Sequence, residues 1–105
     1  MRQYTTPTYT FTVKSVDLTA ADDVWVTFAD STRSIIVTKD SPTVTASGSD
    51  SVVECTLTQA ETGQFYPCTK ASAQVNWMVG TKRLATEITE VAIKENLIKE
   101  ILPHV

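Results

Sequence analysis

Glycine is scarce in this 105-residue chain, with three residues in all. Its turns must therefore be made with Asp, Ser, Asn and Pro. Cysteine is limited to Cys55 and Cys68, with no C-x-x-C spacing, so a zinc ribbon has no support. His104 is the only histidine, next to the last residue, and a general base needs a fixed position beside its substrate. No apolar run approaches the ~20 residues of a bilayer span. The opening MRQYTTPTYT lacks the apolar stretch of a signal peptide. Nine basic residues stand against twelve acidic ones, a net charge of -3, and no block of like charge occurs. A basic face for nucleic acid is not expected from that balance, and neither nucleic acid nor membrane is an expected partner.

What is abundant is Thr, with Val and Ile behind it. These β-branched side chains suit a pleated, half-buried surface. The length suits one domain over residues 1–105, with a small core; such a chain buries roughly 60–70% of its unfolded surface. Thr8 to Lys14 alternates, with Tyr9, Phe11 and Val13 on one face and threonines on the other. Val24, Val26 and Phe28 repeat the pattern and put Trp25 and Thr27 opposite. Arg33 to Lys39 reads as a third strand after an Asp30-Ser31-Thr32 turn, and Ser41-Pro42 ends it. Thr43 to Thr45 reads as a short edge piece and Ala46 to Ser51 as a loop tip. Ser51 to Thr58 follows as a strand with Val53, Cys55 and Leu57 inward. Ala71 to Val79 places Ala73, Val75, Trp77 and Val79 inward and Gln74 and Asn76 outward. Gly80-Thr81 turns it into a hairpin with Lys82 to Ile88.

From Thr86 to Leu102 the periodicity supports either a helical stripe (Ile88, Val91, Ala92, Ile98, Ile101, Leu102) or a strand. A strand to about Glu95 with a bulge near Thr89 is the preferred reading, followed by one or two helical turns over Asn96 to Leu102 and a stop at Pro103. Leu18-Thr19-Ala20-Ala21-Asp22 and Leu57-Thr58-Gln59-Ala60-Glu61 echo each other. Each has Thr three residues before an acid, the capping-box spacing, and each follows a strand. Unless the echo is chance, both are one-turn helical crossovers between the sheets of a sandwich.

Catalytic signatures are absent: no G-x-S-x-G, H-E-x-x-H, Walker loop or Cys–His pair. No enzyme activity, catalytic residue, cofactor or metal is expected. Asp22-Asp23, with Asp40 or Asp50, is the nearest approach to a calcium site, but its spacing is not that of an EF-hand. With no secretion signal, free thiols are the expectation, with Cys55 as a small core residue. A bridge would instead add ~2–3 kcal/mol. Of the aromatics Tyr4, Tyr9, Tyr66, Trp25 and Trp77, Trp25 is the surface candidate. Its outward parity suits either a subunit contact or a sugar.

TPTYTFTV, DVWVTFAD and above all LTQAETGQF followed by AQVNWMVGTKRLATEI resemble a family of small proteins encoded by tailed bacteriophages and prophages of Gram-positive bacteria. The resemblance runs from about Thr6 to Pro103. It rests on Leu57, Thr58, Gln59, Glu61, Thr62, Phe65, Gln74, Val75, Gly80, Ala85 and Thr86. The polar insertion at Ser47 to Asp50 and Cys68 depart from the pattern. More distantly the chain is similar to the N-terminal sandwich of phage baseplate upper proteins. The resemblance implies a virion-associated structural protein of tail, baseplate or head decoration, assembled in the bacterial cytoplasm.

The expected fold is an all-β antiparallel sandwich, Ig-like or baseplate-like, of six or seven strands with two short helical crossovers. Residues 1–7 form an N-terminal arm and 97–105 a C-terminal tail. The expected function is assembly through protein–protein contacts with itself or other virion proteins. The candidate contacts are Trp25, the arm Arg2 to Pro7, and Leu97, Ile98, Ile101 and Leu102. The alternative is a carbohydrate or host-surface glycan module, which requires an exposed aromatic pair flanked by polar groups.

Overall fold

The computed structural model describes residues 1–102. Strand β1 (Thr8–Val13) leads through a 3-10 turn (Leu18–Ala20) to β2 (Asp23–Ala29), β3 (Ile35–Asp40), β4 (Thr43–Ser47) and β5 (Asp50–Thr56). A short helix α1 (Gln59–Thr62) precedes β6 (Lys70–Val79), β7 (Lys82–Ala85) and β8 (Thr89–Ala92). The strands form two antiparallel sheets, β1-β5-β4 and β3-β2-β6-β7, with β8 also on β6. The fold is therefore all-β and sandwich-like. Among the described residues it has eight strands, because Thr43–Ser47 is a full strand and the chain after Gly80 divides in two. His104 and Pro103 lie outside the described residues.

Alternation decides what faces the core. Val24, Val26 and Phe28 of β2 are buried with Ala71, Ala73, Val75 and Trp77 of β6 and Val53 and Cys55 of β5. Phe28 sits at the centre, its ring 5.5 Å from that of Tyr9 and 6.4 Å from that of Phe11. Both distances fall within the range of attractive aromatic pairs. The outer face of the smaller sheet is a threonine surface, where Thr8 and Thr56 share a hydrogen bond of 2.8 Å. Val79 has inward parity but is exposed, since it lies beside the Gly80 turn without cover from the opposite sheet. Trp77 is buried, and its indole Nε1 is the one such side-chain atom without a hydrogen-bond partner among the described residues.

The repeated L-T-x-A segments are the two crossovers. β1 pairs antiparallel with β5, and β2 with β6. The two strand–turn–strand units thus lie side by side, as an approximate two-fold axis would place them. Their caps differ. Thr58 accepts from the Glu61 N–H while the Glu61 carboxylate accepts from the Thr58 N–H, a full capping box. The first crossover does not use the expected Thr19–Asp22 box. Asp17 caps it by accepting from the Thr19 N–H, and Asp22 instead accepts from the Gly80 N–H at 2.7 Å.

The slip in alternation falls at Thr86 to Ile88, not at a bulge near Thr89. β7 pairs with Asn76–Val79 and β8 with Lys70–Ala73, so both occupy one edge of β6 in succession. Between them the Thr86 N–H donates to the Val75 carbonyl, and the Thr86 Oγ1 accepts from the Val75 N–H. A side chain thus completes the ladder where the backbone turns away.

The N-terminal arm is not free. The Gln3 N–H donates to the Lys94 carbonyl, and buried Gln3 donates from Nε2 to the Phe65 carbonyl at 2.6 Å. Buried Thr62 accepts from the Thr5 N–H and donates to the Thr5 carbonyl. Gly63 lies under the Tyr4 side chain: a Cβ there would lie 2.5 Å from the ring, so the ring would have to shift. The shortage of glycine shows in the backbone, since Tyr4, Ser15, Arg33, Ser41 and Cys68 all take positive φ. Each such residue costs about 1–2 kcal/mol that glycine would not.

Helix α1 is tied to the larger sheet by Lys39, whose Nζ lies 2.7 Å from Glu61 Oε1. Burial alone would raise the Glu61 pKa, but Lys39 and the Thr58 N–H outweigh it and hold the carboxyl below its ordinary 4.5. A depressed carboxyl contributes stability that is fully present above the ordinary value and lost as pH falls through the folded one. The thermal midpoint is therefore expected to drop as pH is lowered below 4.5, and the Glu61→Gln variant to drop less. Melting curves of both proteins between neutral and acid pH check this; parallel losses would assign the acid sensitivity to other groups.

Candidate interaction surfaces

Two surfaces stand out, and they lie on different parts of the chain. The first is the outer face of the larger sheet. The order β3-β2-β6-β7 brings together residues far apart in sequence. Trp25, Thr27, Ile35, Thr38, Asn76, Met78 and Arg83 line an open cavity of about 380 Å³. Thr27 and Ile35 also line a second one of about 260 Å³, with Ala29, Arg33, Ser72, Ala73, Gln74 and Ile88. The two make one groove, apolar along Trp25, Ile35, Met78 and Ile88. Arg83 lines one cavity and Arg33 the other, and among the described residues no carboxylate side chain lines either. Asp40, the register partner of Trp25, is not among the lining residues.

Trp25 has the outward parity expected of it and is half-buried in this groove. The amides of Gln74 and Asn76 line it as polar groups, and Gln74 Nε2 donates to the Thr86 carbonyl at 2.8 Å. A glycan site calls for two exposed rings; among the described residues Trp25 is the only aromatic lining the groove. Sequence reasoning missed Ile35, Arg33 and Arg83. Arg33 follows a turn and Arg83 sits on a four-residue edge strand, so no local pattern marks them.

The second surface is the C-terminal segment. No helix forms over Asn96 to Leu102. The Asn96 Oδ1 accepts from the Ile98 N–H, and the Leu102 N–H donates to Gln59 Oε1 at 2.8 Å. Lys99 pairs with Glu95 and donates to Gln3 Oε1. The segment is thus held against the body by its backbone and by Lys99, while its apolar side chains face outward. Leu97 is 90% exposed, Ile98 52%, Ile101 58% and Leu102 44%.

The remaining polar candidates serve the fold. Asp22 and Asp50 accept from the Gly80 and Ser15 N–H groups, and Asp30 from Thr32 and Ser34. The Thr32 hydroxyl and these N–H groups hold the Asp30 carboxyl below its ordinary range. Among the described residues no three His, Cys, Asp or Glu side chains gather as metal ligands. Both cysteines are free, Cys68 exposed and Cys55 buried. Burial pushes the Cys55 thiol up, away from the reactive thiolate. No helix among the described residues is long and apolar enough to cross a membrane.

Fold and surface together define a two-sheet β-protein with an apolar, arginine-flanked groove and an exposed apolar segment. No family model, curated protein or solved structure matches the chain.

Proposed function

We propose that this protein is an assembly subunit that works by protein–protein contact, a structural component of a bacteriophage particle rather than an enzyme. The observation that carries the reading is the exposure of Leu97, Ile98, Ile101 and Leu102 on a segment that its own chain holds in place. Fully burying one such side chain is worth ~1.5–3 kcal/mol, and a contiguous patch of them marks an interaction surface. A preorganised segment also loses less entropy when a partner covers it. The placement in a virion, in the tail, baseplate or head decoration, rests on the resemblance of the LTQAETGQF and AQVNWMVG segments. Copies of one subunit in such particles are related by symmetry, so the partner includes the protein itself.

The test replaces Leu97 and Ile101 by Ser in one chain. Both side chains are exposed, so the variant keeps its thermal midpoint while its sedimentation coefficient falls to that of a single chain. A variant that sediments like the native protein would sink the reading.

A further inference from the structure

The outer edge of β1 is open. In the sheet β1-β5-β4 this strand pairs only with β5 among the described residues. The Leu57 N–H donates to the Pro7 carbonyl, which carries the β1–β5 ladder one residue past Thr8. Bonded and non-bonded pairs alternate along an antiparallel ladder, so Tyr9, Phe11 and Val13 turn their N–H and C=O groups to β5 as well. The N–H and C=O groups of Thr8, Thr10 and Thr12 then point away from the sheet, and these three residues are exposed. Pro7 does not guard this edge, since its missing N–H falls on the β5 side.

Open edges are usually blunted by charge or by shortness. β3 carries Lys39 and Asp40, β7 carries Lys82 and Arg83, and β8 carries Glu90. β4 is shorter than β1, with Val44 as its single large apolar side chain. β1 is six residues long, uncharged and built of threonine, aromatics and valine. Its sequence is symmetric about Thr10: Tyr9 mirrors Phe11, and Thr8 mirrors Thr12. A second β1 laid antiparallel with Thr10 opposite Thr10 therefore sets like against like. Threonine meets threonine on the outer face, as Thr8 and Thr56 already do across β1 and β5 at 2.8 Å. Tyr9 meets Phe11 on the inner face. The backbone agrees with the side chains, because Thr10 pairs with Thr10 and Thr8 with Thr12 through the groups that point outward. A register displaced by one residue sets those groups against residues whose own are turned to β5.

We propose that β1 of one subunit pairs antiparallel with β1 of a second copy about a two-fold axis at Thr10, joining their smaller sheets into one. This rests on the assembly reading above and adds a second contact to it. The same strand serves both copies, so the contact is isologous. A pair of six-residue strands covers less surface than a stable interface needs. The ladder therefore forms between copies that the C-terminal segment also holds, and it does not replace that contact.

The experiment is cross-linking by register in the full-length chain. Cys68→Ser first removes the exposed native thiol. Thr8→Cys, Thr10→Cys and Thr12→Cys are then made singly in that background, at exposed positions where a small side chain replaces another. Circular dichroism confirms folding. Each protein is oxidised with copper phenanthroline and run on a denaturing gel without reductant. Facing residues of a bonded pair have Cα atoms ~5.5 Å apart, within reach of a disulfide. Two copies of Thr8 stand four residues apart along the pair, ~14 Å, which is out of reach. The expected result is a covalent dimer for Thr10→Cys, at least ten-fold more than for Thr8→Cys or Thr12→Cys alone, and a dimer again when those two chains are mixed. Equal cross-linking by all three overturns the inference, since it reports random collision. No cross-link with Thr10→Cys, from a protein whose native mass is a multiple of one chain, also overturns it. The assembly reading then stands, and the edge is left to a strand of another protein. A register-specific cross-link that survives Leu97→Ser with Ile101→Ser keeps the strand contact and removes the reading that the C-terminal segment carries the assembly. A native protein that stays a single chain and gives no cross-link removes both.

Discussion

Replacing Phe28 by Ala is expected to remove most of the protein's stability. The side chain is fully buried and joins the two sheets through the rings of Tyr9 and Phe11. Truncating a core Phe costs ~3–5 kcal/mol, from lost burial plus the cavity left behind. A chain of this size has ~5–15 kcal/mol in total. The cavity here cannot close easily, because both neighbouring rings are fixed on β1 in register with β5. Urea unfolding should show a midpoint lowered by a third or more; a loss below ~1 kcal/mol would mean that the sheets are held together elsewhere.

Ser51→Ala is expected to have the next largest effect, although it removes a single oxygen. Ser51 is fully buried at the start of β5. Its Oγ accepts from the Leu18 N–H at 2.8 Å and donates to the Val16 carbonyl at 2.7 Å. It thereby supplies backbone partners for the β1–β2 crossover, which has only a three-residue 3-10 turn of its own. Without it a buried donor and an acceptor lose their partner, at ~1–3 kcal/mol for each group left unsatisfied. Denaturant melts are expected to show a loss of roughly 2–4 kcal/mol. Hydrogen exchange at the Leu18 amide should accelerate beyond the change in global stability. If exchange there keeps pace with the rest of the core, the hydroxyl does not anchor the crossover.

The strands were legible because their inward residues alternate without interruption, as in β1, β2 and β6. The crossovers were legible from the repeated L-T-x-A pattern, and the capping box of the second one from spacing alone. The cap of the first was not, since Asp17, one residue outside the repeat, accepts from the Thr19 N–H and Asp22 accepts from the Gly80 N–H instead. Val79 shows the limit of parity: alternation gives the face but not whether the opposite sheet extends to cover it. The segment after Glu95 has helical spacing, but a short helix is stabilised by burying its stripe, and the described residues leave Ile98 and Ile101 more than half exposed. The Asn96 side chain takes the Ile98 N–H instead. The apolar tail and Trp25 were visible as candidates. The groove was not, because Trp25, Ile35, Asn76 and Arg83 meet only through the strand order β3-β2-β6-β7.

In the proposed assembly the exposed C-terminal segment is covered by another copy of the chain. The most direct test is the absolute mass of the native protein by light scattering after size exclusion, across a wide range of concentrations. The expected mass is a multiple of the 11.5 kDa chain that persists on dilution. A mass of 11.5 kDa at every concentration would contradict it.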